Sequence, residues 1–522
     1  MPRVAIAMTQ TAGGPTGALT AAVQKSGVGG IVVCRASNSG GTPTTTFNVM
    51  DYGAHRDGVT DDGPHIKAAY DAAFANSVGG AHSTVLFPPG TYYITKASSW
   101  NLGRIRSNDW VGQGSPTVHR AGVIRFSGYG ATIKYANETG RFSFLMAGAT
   151  YQYETHGNLE IEGFTFDNNW RYTAGECAQI IWIQGTANVD NITIRDCTTT
   201  PNMTSRVASW TNTMGVIRGI FLCCGQVSRD QLYYGYTTNI TIENCTIYAQ
   251  GKGISVHAAN PGTDTTLGTS KYLYDNINIA DCWVDIRHTV GTCIHLGSYG
   301  AGYRCSVKRC FVRDSGDNLI EVDAFNEVLV EDCVAEKAPS AIGFTWFSYP
   351  YKTDTPNYTI RNCTYGNGQN PYGTDIYNRS CQAFCQVTLG AAATQLRGRE
   401  WGNFTIDGCD SIDNTPEAYS AAQYPYAPNP GPNMWQPTIF LDAPLTSVYI
   451  NNCDITDTGG RASSATVDLL VVKQKTPGDP ACPCYIHDVR YRTATDGAYS
   501  TLPVDKVTVT GFTAIDSDIA GL

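Results

Sequence analysis

The stretch that decides the fold is Asn191-Ile192-Thr193-Ile194-Arg195-Asp196-Cys197, NITIRDC. Apolar residues at 192 and 194 alternate with polar ones, the period of a strand with one face turned inward, and a cysteine closes the run. The same order (apolar, any, apolar, any, any, Cys) returns at Ile240-Ile242-Cys245, Ile277-Ile279-Cys282, Cys305-Val307-Cys310 and Val328-Val330-Cys333. It continues at Tyr358-Ile360-Cys363, Phe404-Ile406-Cys409 and Val448-Ile450-Cys453. Leu159-Ile161-Phe164, Cys484-Ile486-Val489 and Val507-Val509-Phe512 keep the alternation without the final cysteine. The cysteine-bearing copies lie 23 to 48 residues apart. The shortest interval is one turn of a wide strand coil, and the longer ones carry insertions.

Two side-chain types mark the coil. Asn precedes the first apolar position in six copies, at 158, 191, 239, 276, 357 and 403. Asn tolerates the left-handed backbone of a tight corner, so these residues predict an Asn ladder. The chain has 18 cysteines, but their recurrence on one coil position reads as small buried hydrophobes stacked rung upon rung, not as a disulfide framework. Free thiols on that scale point to folding in a reducing compartment. Cys223-Cys224 and Cys482-Pro483-Cys484 have no histidine cluster beside them, so no metal site is expected there.

Composition limits the partners. Of 522 residues only 16% are charged and the net charge is −9, with no basic block, which argues against nucleic acid. No apolar run reaches membrane-spanning length, so no membrane insertion is expected. The opening MPRVAIAMTQTAGG makes a poor secretory signal.

Towards the N-terminus, Asp57-Gly58 signals a turn, and Thr60, Asp61 and Asp62 suit a helix N-cap. Ile66, Ala69, Tyr70 and Ala73 follow at helical spacing, Gly79-Gly80 ends the helix, and Val85-Leu86-Phe87 forms a strand turned by Pro88-Pro89-Gly90. The carboxylates here read as caps and turns, and the helix as the cap on an open stack of strands.

Residues 48–62, NVMDYGAHRDGVTDD, with 81–94, AHSTVLFPPGTYYI, closely resemble the entry segment of the pectate-lyase-like superfamily, most of all its phage tailspike and polysaccharide depolymerase branch. The resemblance implies an all-β, right-handed parallel β-helix with a short N-terminal capping helix. On this reading 1–46 is an N-terminal segment, 47–100 the capping motif and entry, and 101–522 the β-helix. The resemblance also implies a homotrimer attached to phage tail or baseplate proteins through the N-terminal segment. Its partner would be host-surface or other acidic polysaccharide, and its location the virion. An extracellular pectinase-like enzyme and a non-catalytic receptor-binding tail protein are the alternatives.

A second recurring strand locates the candidate site. It runs Ile181-Trp182-Ile183-Gln184, Ile220-Phe221-Leu222-Cys223, Ile254-Ser255-Val256-His257, Ile294-His295-Leu296-Gly297 and Ile320-Glu321-Val322-Asp323. Ile342-Gly343-Phe344-Thr345, Val387-Thr388-Leu389-Gly390 and Ile439-Phe440-Leu441-Asp442 extend it. Period two puts the second and fourth residues of each copy on the outer face. The middle rungs then gather His257, His295, Glu321 and Asp323 as catalytic candidates, while Trp182, Phe221, Ser255, Thr345, Phe440 and Asp442 are expected to bind substrate. Paired carboxylates suit glycoside hydrolysis, and a histidine base suits β-elimination from a uronate. No cofactor is expected, except a Ca²⁺ ion if the protein is a uronate lyase. Asp317, in a segment loosely similar to a polygalacturonase motif, reads as a turn residue. The Tyr/Pro-rich insertions at 230–238, 347–358 and 418–437 read as sugar-stacking loops or subunit contacts.

Overall fold

The computed structural model describes residues 44–95, 106–110, 116–119, 122–136, 141–148, 155–167, 177–184, 188–200, 218–224, 236–249, 252–258, 274–289, 291–297, 302–315, 318–323, 325–336, 340–346, 357–366, 383–389, 401–412, 439–441, 445–457, 470–473, 484–493, 500–501 and 507–510. The chain divides into two compact units, Met1–Pro43 and Thr44–Leu522, and all described residues belong to the second.

Three sheets run through that unit, with 15, 14 and 11 strands among the described residues. One turn of the coil takes a strand from each in order: Asn188–Arg195 in the first sheet, Thr198–Thr199 in the second and Arg218–Cys224 in the third. The coil strands pair in parallel with their counterparts one turn away, as Asn188–Arg195 does with Thr237–Glu243, while Arg106–Trp110, Pro116–His119 and Ser500–Thr501 add antiparallel pairings. The fold is a right-handed parallel β-helix.

The repeat aligns residue for residue. Leu159, Ile192, Ile240, Ile277, Cys305, Val328, Tyr358, Phe404, Val448 and Cys484 form one continuous register column of the first sheet. All ten are buried. Only the last copy departs from expectation: Val507 and Val509 pair with Leu470 and Val472, in the third sheet. Alternation looks the same in either sheet, so the pattern alone could not assign it.

Corners of the coil explain the asparagines. Asn158, Asn191, Asn239 and Asn276 have φ between 48° and 56°, the left-handed region Asn enters most readily among residues with a side chain. Their amides also bond along the stack: Asn191 Nδ2 donates to Asn158 Oδ1 at 2.8 Å, and Asn276 Nδ2 to Asn239 Oδ1 at 2.8 Å. Asn357 and Asn403 are not among the left-handed residues; the Asn403 backbone N–H donates instead to Asn357 Oδ1 at 3.1 Å. A second left-handed corner sits just before each cysteine, at Asp196, Asn244, Asp281, Arg309, Asp332, Asn362, Gly408 and Asn452.

The cysteines that follow that corner (197, 245, 282, 310, 333, 363, 409 and 453) are buried free thiols, as are Cys293, Cys305, Cys385 and Cys484. Each of the eight lies 3.1–3.4 Å from the carbonyl oxygen two residues earlier, towards which its S–H donates. The thiol thus caps its own corner while filling the core. Burial pushes the Cys293, Cys305 and Cys385 thiols well above their ordinary value.

The entry motif is structural throughout. The helix Gly63–Val78 buries Ile66, Ala69, Tyr70 and Ala73, and Tyr70 stacks on Phe126 with centroids 5.8 Å apart. Asp62 stands at the N-cap position but accepts from the His55 and Arg56 amides, tying down the preceding loop. Asp61 does the capping instead, accepting from Gly63 N at 3.1 Å.

Candidate active site on the third sheet

Four strands build the site: Lys252–Ala258, Thr292–Leu296, Asn318–Val322 and Ser340–Trp346. Ile254, Ile294, Leu296, Ile320 and Val322 face the core with no exposure, which fixes the alternate residues outward. Ser255 pairs in register with His295, His295 with Glu321, and Glu321 with Gly343, as the pattern predicts. Trp182, Phe221 and Ser255 also share one column, and Cys223 pairs with His257. The side chains of Trp182, Phe221, His257, Thr345 and Phe440, and the whole of Asp442 and Asp317, lie outside the described residues.

One rung slips from its expected place. Gly343 pairs with Gln386, and Gln386 with Phe440, so Gln386 takes the column position expected of Thr388, which pairs with Thr345. A two-residue shift preserves which face each side chain takes, so hydrophobic patterning does not detect it.

The larger correction concerns exposure. Period two puts these residues on the outer face, yet His295 is 5% exposed, Glu321 9% and Asp323 0%. The reason is visible in their bonds, since the outward side chains pack on one another. His295 Nε2 lies 3.0 Å from Asp323 Oδ2 and 3.9 Å from Glu321 Oε2. Thr292 Oγ1 donates to Glu321 Oε2 at 3.1 Å, and Lys252 Nζ contacts His295 Nδ1. One atom from each of His295, Glu321 and Asp323 falls within 4.8 Å of the others.

Two glycines shape the surroundings. Gly297 has φ 87°, and a Cβ there would meet the Asp323 carbonyl oxygen at 2.1 Å, so only glycine lets that rung close against Asp323. A Cβ on Gly343 would stand 2.5 Å from the Asn318 side chain, which leaves the column without a side chain beside Glu321. On the other side, the Ser255 hydroxyl is buried and has no hydrogen-bond partner. Leaving such a group unpaired costs about 1–3 kcal/mol.

Lys252 and Thr292 were missed by the sequence reading, which counted each strand from its first inward isoleucine. A polar residue stands two places earlier in consecutive copies (Arg218, Lys252, Thr292, Asn318, Ser340), and that was the available signal. The donor set of one histidine and two carboxylates has the composition of a divalent-cation site. The Lys252 ammonium against the same imidazole opposes a cation there.

Residues 46–287 match the family model described as rhamnogalacturonase A/epimerase, pectate lyase-like. Over that stretch, less than half of the chain, the sequence is similar to the pectate-lyase-like family. It is 34% identical over 131 residues to mannuronan C5-epimerase AlgE4 of Azotobacter vinelandii, a stretch that is 25% of this chain and 21% of that protein. Among solved structures it is similar to the AlgE6 A-module of A. vinelandii, at 14% identity and TM-score 0.41, covering 90% of this chain and 99% of that one. It is also similar to the tailspike of Acinetobacter baumannii phage AM24, at 13% identity and TM-score 0.39, covering 82% and 55%. The family match stops at 287, so His295, Glu321 and Asp323 lie beyond it, and their chemistry rests on their own geometry.

Proposed function

We propose that the chain binds a polysaccharide along the third sheet and cleaves it by glycoside hydrolysis. The observation that carries this reading is the convergence of Lys252, His295, Glu321 and Asp323 from three successive rungs onto one buried point. Both ring nitrogens of His295 are engaged by the protein's own groups, which disfavours His295 as the base of a β-elimination. Glu321 is the most accessible of the three and is oriented by Thr292, which suits protonation of the leaving glycosidic oxygen. Asp323, fully buried, suits electrostatic stabilisation of the positive charge that develops on the sugar ring, a role that needs proximity and not exposure. Ser255, one rung before His295, would receive a sugar hydroxyl.

The pectate-lyase-like match and a relative named for acting on a polyuronate support an acidic polysaccharide as the substrate class. The free cysteines favour a phage tail spike over a secreted enzyme, because the twelve buried thiols among the described residues are the state of a chain folded in a reducing cytoplasm. In that setting the chain works as a homotrimer, with the segment before the coil holding it to the particle.

The test is incubation with a panel of bacterial surface polysaccharides and pectins, following both new reducing ends and the ultraviolet absorbance of unsaturated uronates. Reducing ends without that absorbance are expected. Absorbing products would replace hydrolysis with elimination, and binding without products would make the protein an adhesin.

A further inference from the structure

We infer that Lys252 is a positioning residue that fixes His295 in the tautomer with its proton on Nε2. This deepens the hydrolytic reading and rests on it for the catalytic consequence, though the tautomer itself does not. An ammonium carries three donors and no acceptor. The His295 nitrogen against Lys252 Nζ, Nδ1, is therefore the acceptor and bears the lone pair. A neutral imidazole then carries its proton on Nε2, which donates to the Asp323 carboxylate at 3.0 Å.

The other arrangements are worse electrostatically. Moving the proton to Nδ1 sets an N–H against the ammonium and a lone pair against a carboxylate, two repulsive contacts in place of two attractive ones. A doubly protonated ring would keep the Asp323 bond but set two cations together in a site that is 5% exposed or less at His295 and Asp323. Among the described residues Glu321 also faces the ring, 3.9 Å away at Nε2. Lys252 sits on the Ser255 strand, in register with Thr292, the residue that orients Glu321. One position of the column thus orients both partners of the chemistry: Lys252 the imidazole, Thr292 the acid.

This assigns a division of labour. With Nδ1 covered by Lys252 and Nε2 committed to Asp323, the imidazole holds the buried carboxylate in place, and Glu321 exchanges the proton with substrate.

The experiment is ¹⁵N NMR of the imidazole nitrogens in the full chain labelled at histidine, with the His295 signals assigned by their loss in His295→Gln. Wild type is expected to show a protonated Nε2 and an unprotonated Nδ1 that persist through the range, about pH 6.5, where an ordinary histidine titrates. In Lys252→Met the His295 signals should titrate through that range or report mixed tautomers, while Lys252→Arg keeps the wild-type pattern. On the cleaved glycan, Lys252→Met should add an ionisation to the kcat/KM profile that Lys252→Arg does not. A protonated Nδ1 in wild type, or a Lys252→Met spectrum identical to wild type in a folded protein, would overturn the inference. If no glycan is cleaved, the functional reading fails while the spectra still decide the role of Lys252.

Discussion

The first and third sheets belong to the same coil, share the same alternation and bury the same kinds of isoleucine and valine, yet their outer faces differ in kind. Along the first sheet, Thr193, Thr241, Asn278, Ser306, Leu329, Thr359 and Thr405 stand in one half-exposed column, and charges pair across rungs with an arginine each time, Arg304 with Asp275 at the surface and Arg195 with the buried Glu162. Along the third, the outer face sinks a histidine and two carboxylates out of water. The first is what a stack of strands needs to be soluble and in register. The second carries a desolvation cost that register alone does not require. A site reveals itself in a repetitive fold as the place where the outer face stops following the economy of the repeat.

That contrast can be broken from either side. The largest expected effect on folding comes from Ile194→Ala, which empties a fully buried rung of the first sheet and should lower stability by about 2–5 kcal/mol in a denaturant melt. The rate per folded molecule should stay as it was. A change in that rate would mean the two faces are coupled.

A smaller effect is expected at the corners. Asn191, with φ 54°, should lose about 1–2 kcal/mol on replacement by alanine, and far less on replacement by glycine, which adopts that conformation freely. Equal losses for both would show that its amide bond to Asn158 matters more than its backbone.

The smallest concerns the entry loop. Hydrogen bonds from the Thr60 amide and hydroxyl and the Val59 amide hold the Asp57 carboxyl down at about 2. A carboxyl lowered on folding contributes stability that is full above its ordinary value, 3.8, and is lost as pH falls towards about 2. Asp57→Asn should therefore flatten that part of the acid limb in thermal melts taken from pH 5 to pH 2, and leave neutral pH little changed.

How much of this was legible follows from what a period-two pattern can carry. It identified the coil, the buried thiol column, four left-handed asparagines and the juxtaposition of Ser255, His295 and Glu321, because each depends only on which residues share a rung. It failed at Thr388 and Val507, where a shift of two residues or a change of sheet leaves the alternation intact. The second corner, before each cysteine, was legible as Asp, Asn or Gly at seven of those eight positions, with Arg309 the exception. Its residue type changes from copy to copy, which hides it beside the recurring Asn of the first corner. Burial of the His295 cluster and the contact with Lys252 depend on side chains meeting between strands, which alternation along one strand does not encode.

The measurement that most directly tests whether the third-sheet column performs the chemistry is the initial rate of Glu321→Gln against wild type on a glycan the protein cleaves, with glycan binding measured alongside. The account predicts unchanged binding and melting temperature and a rate lower by about 10²–10⁴-fold, the usual share of a general acid. A rate within a few-fold of wild type would contradict it and move the active site away from this column.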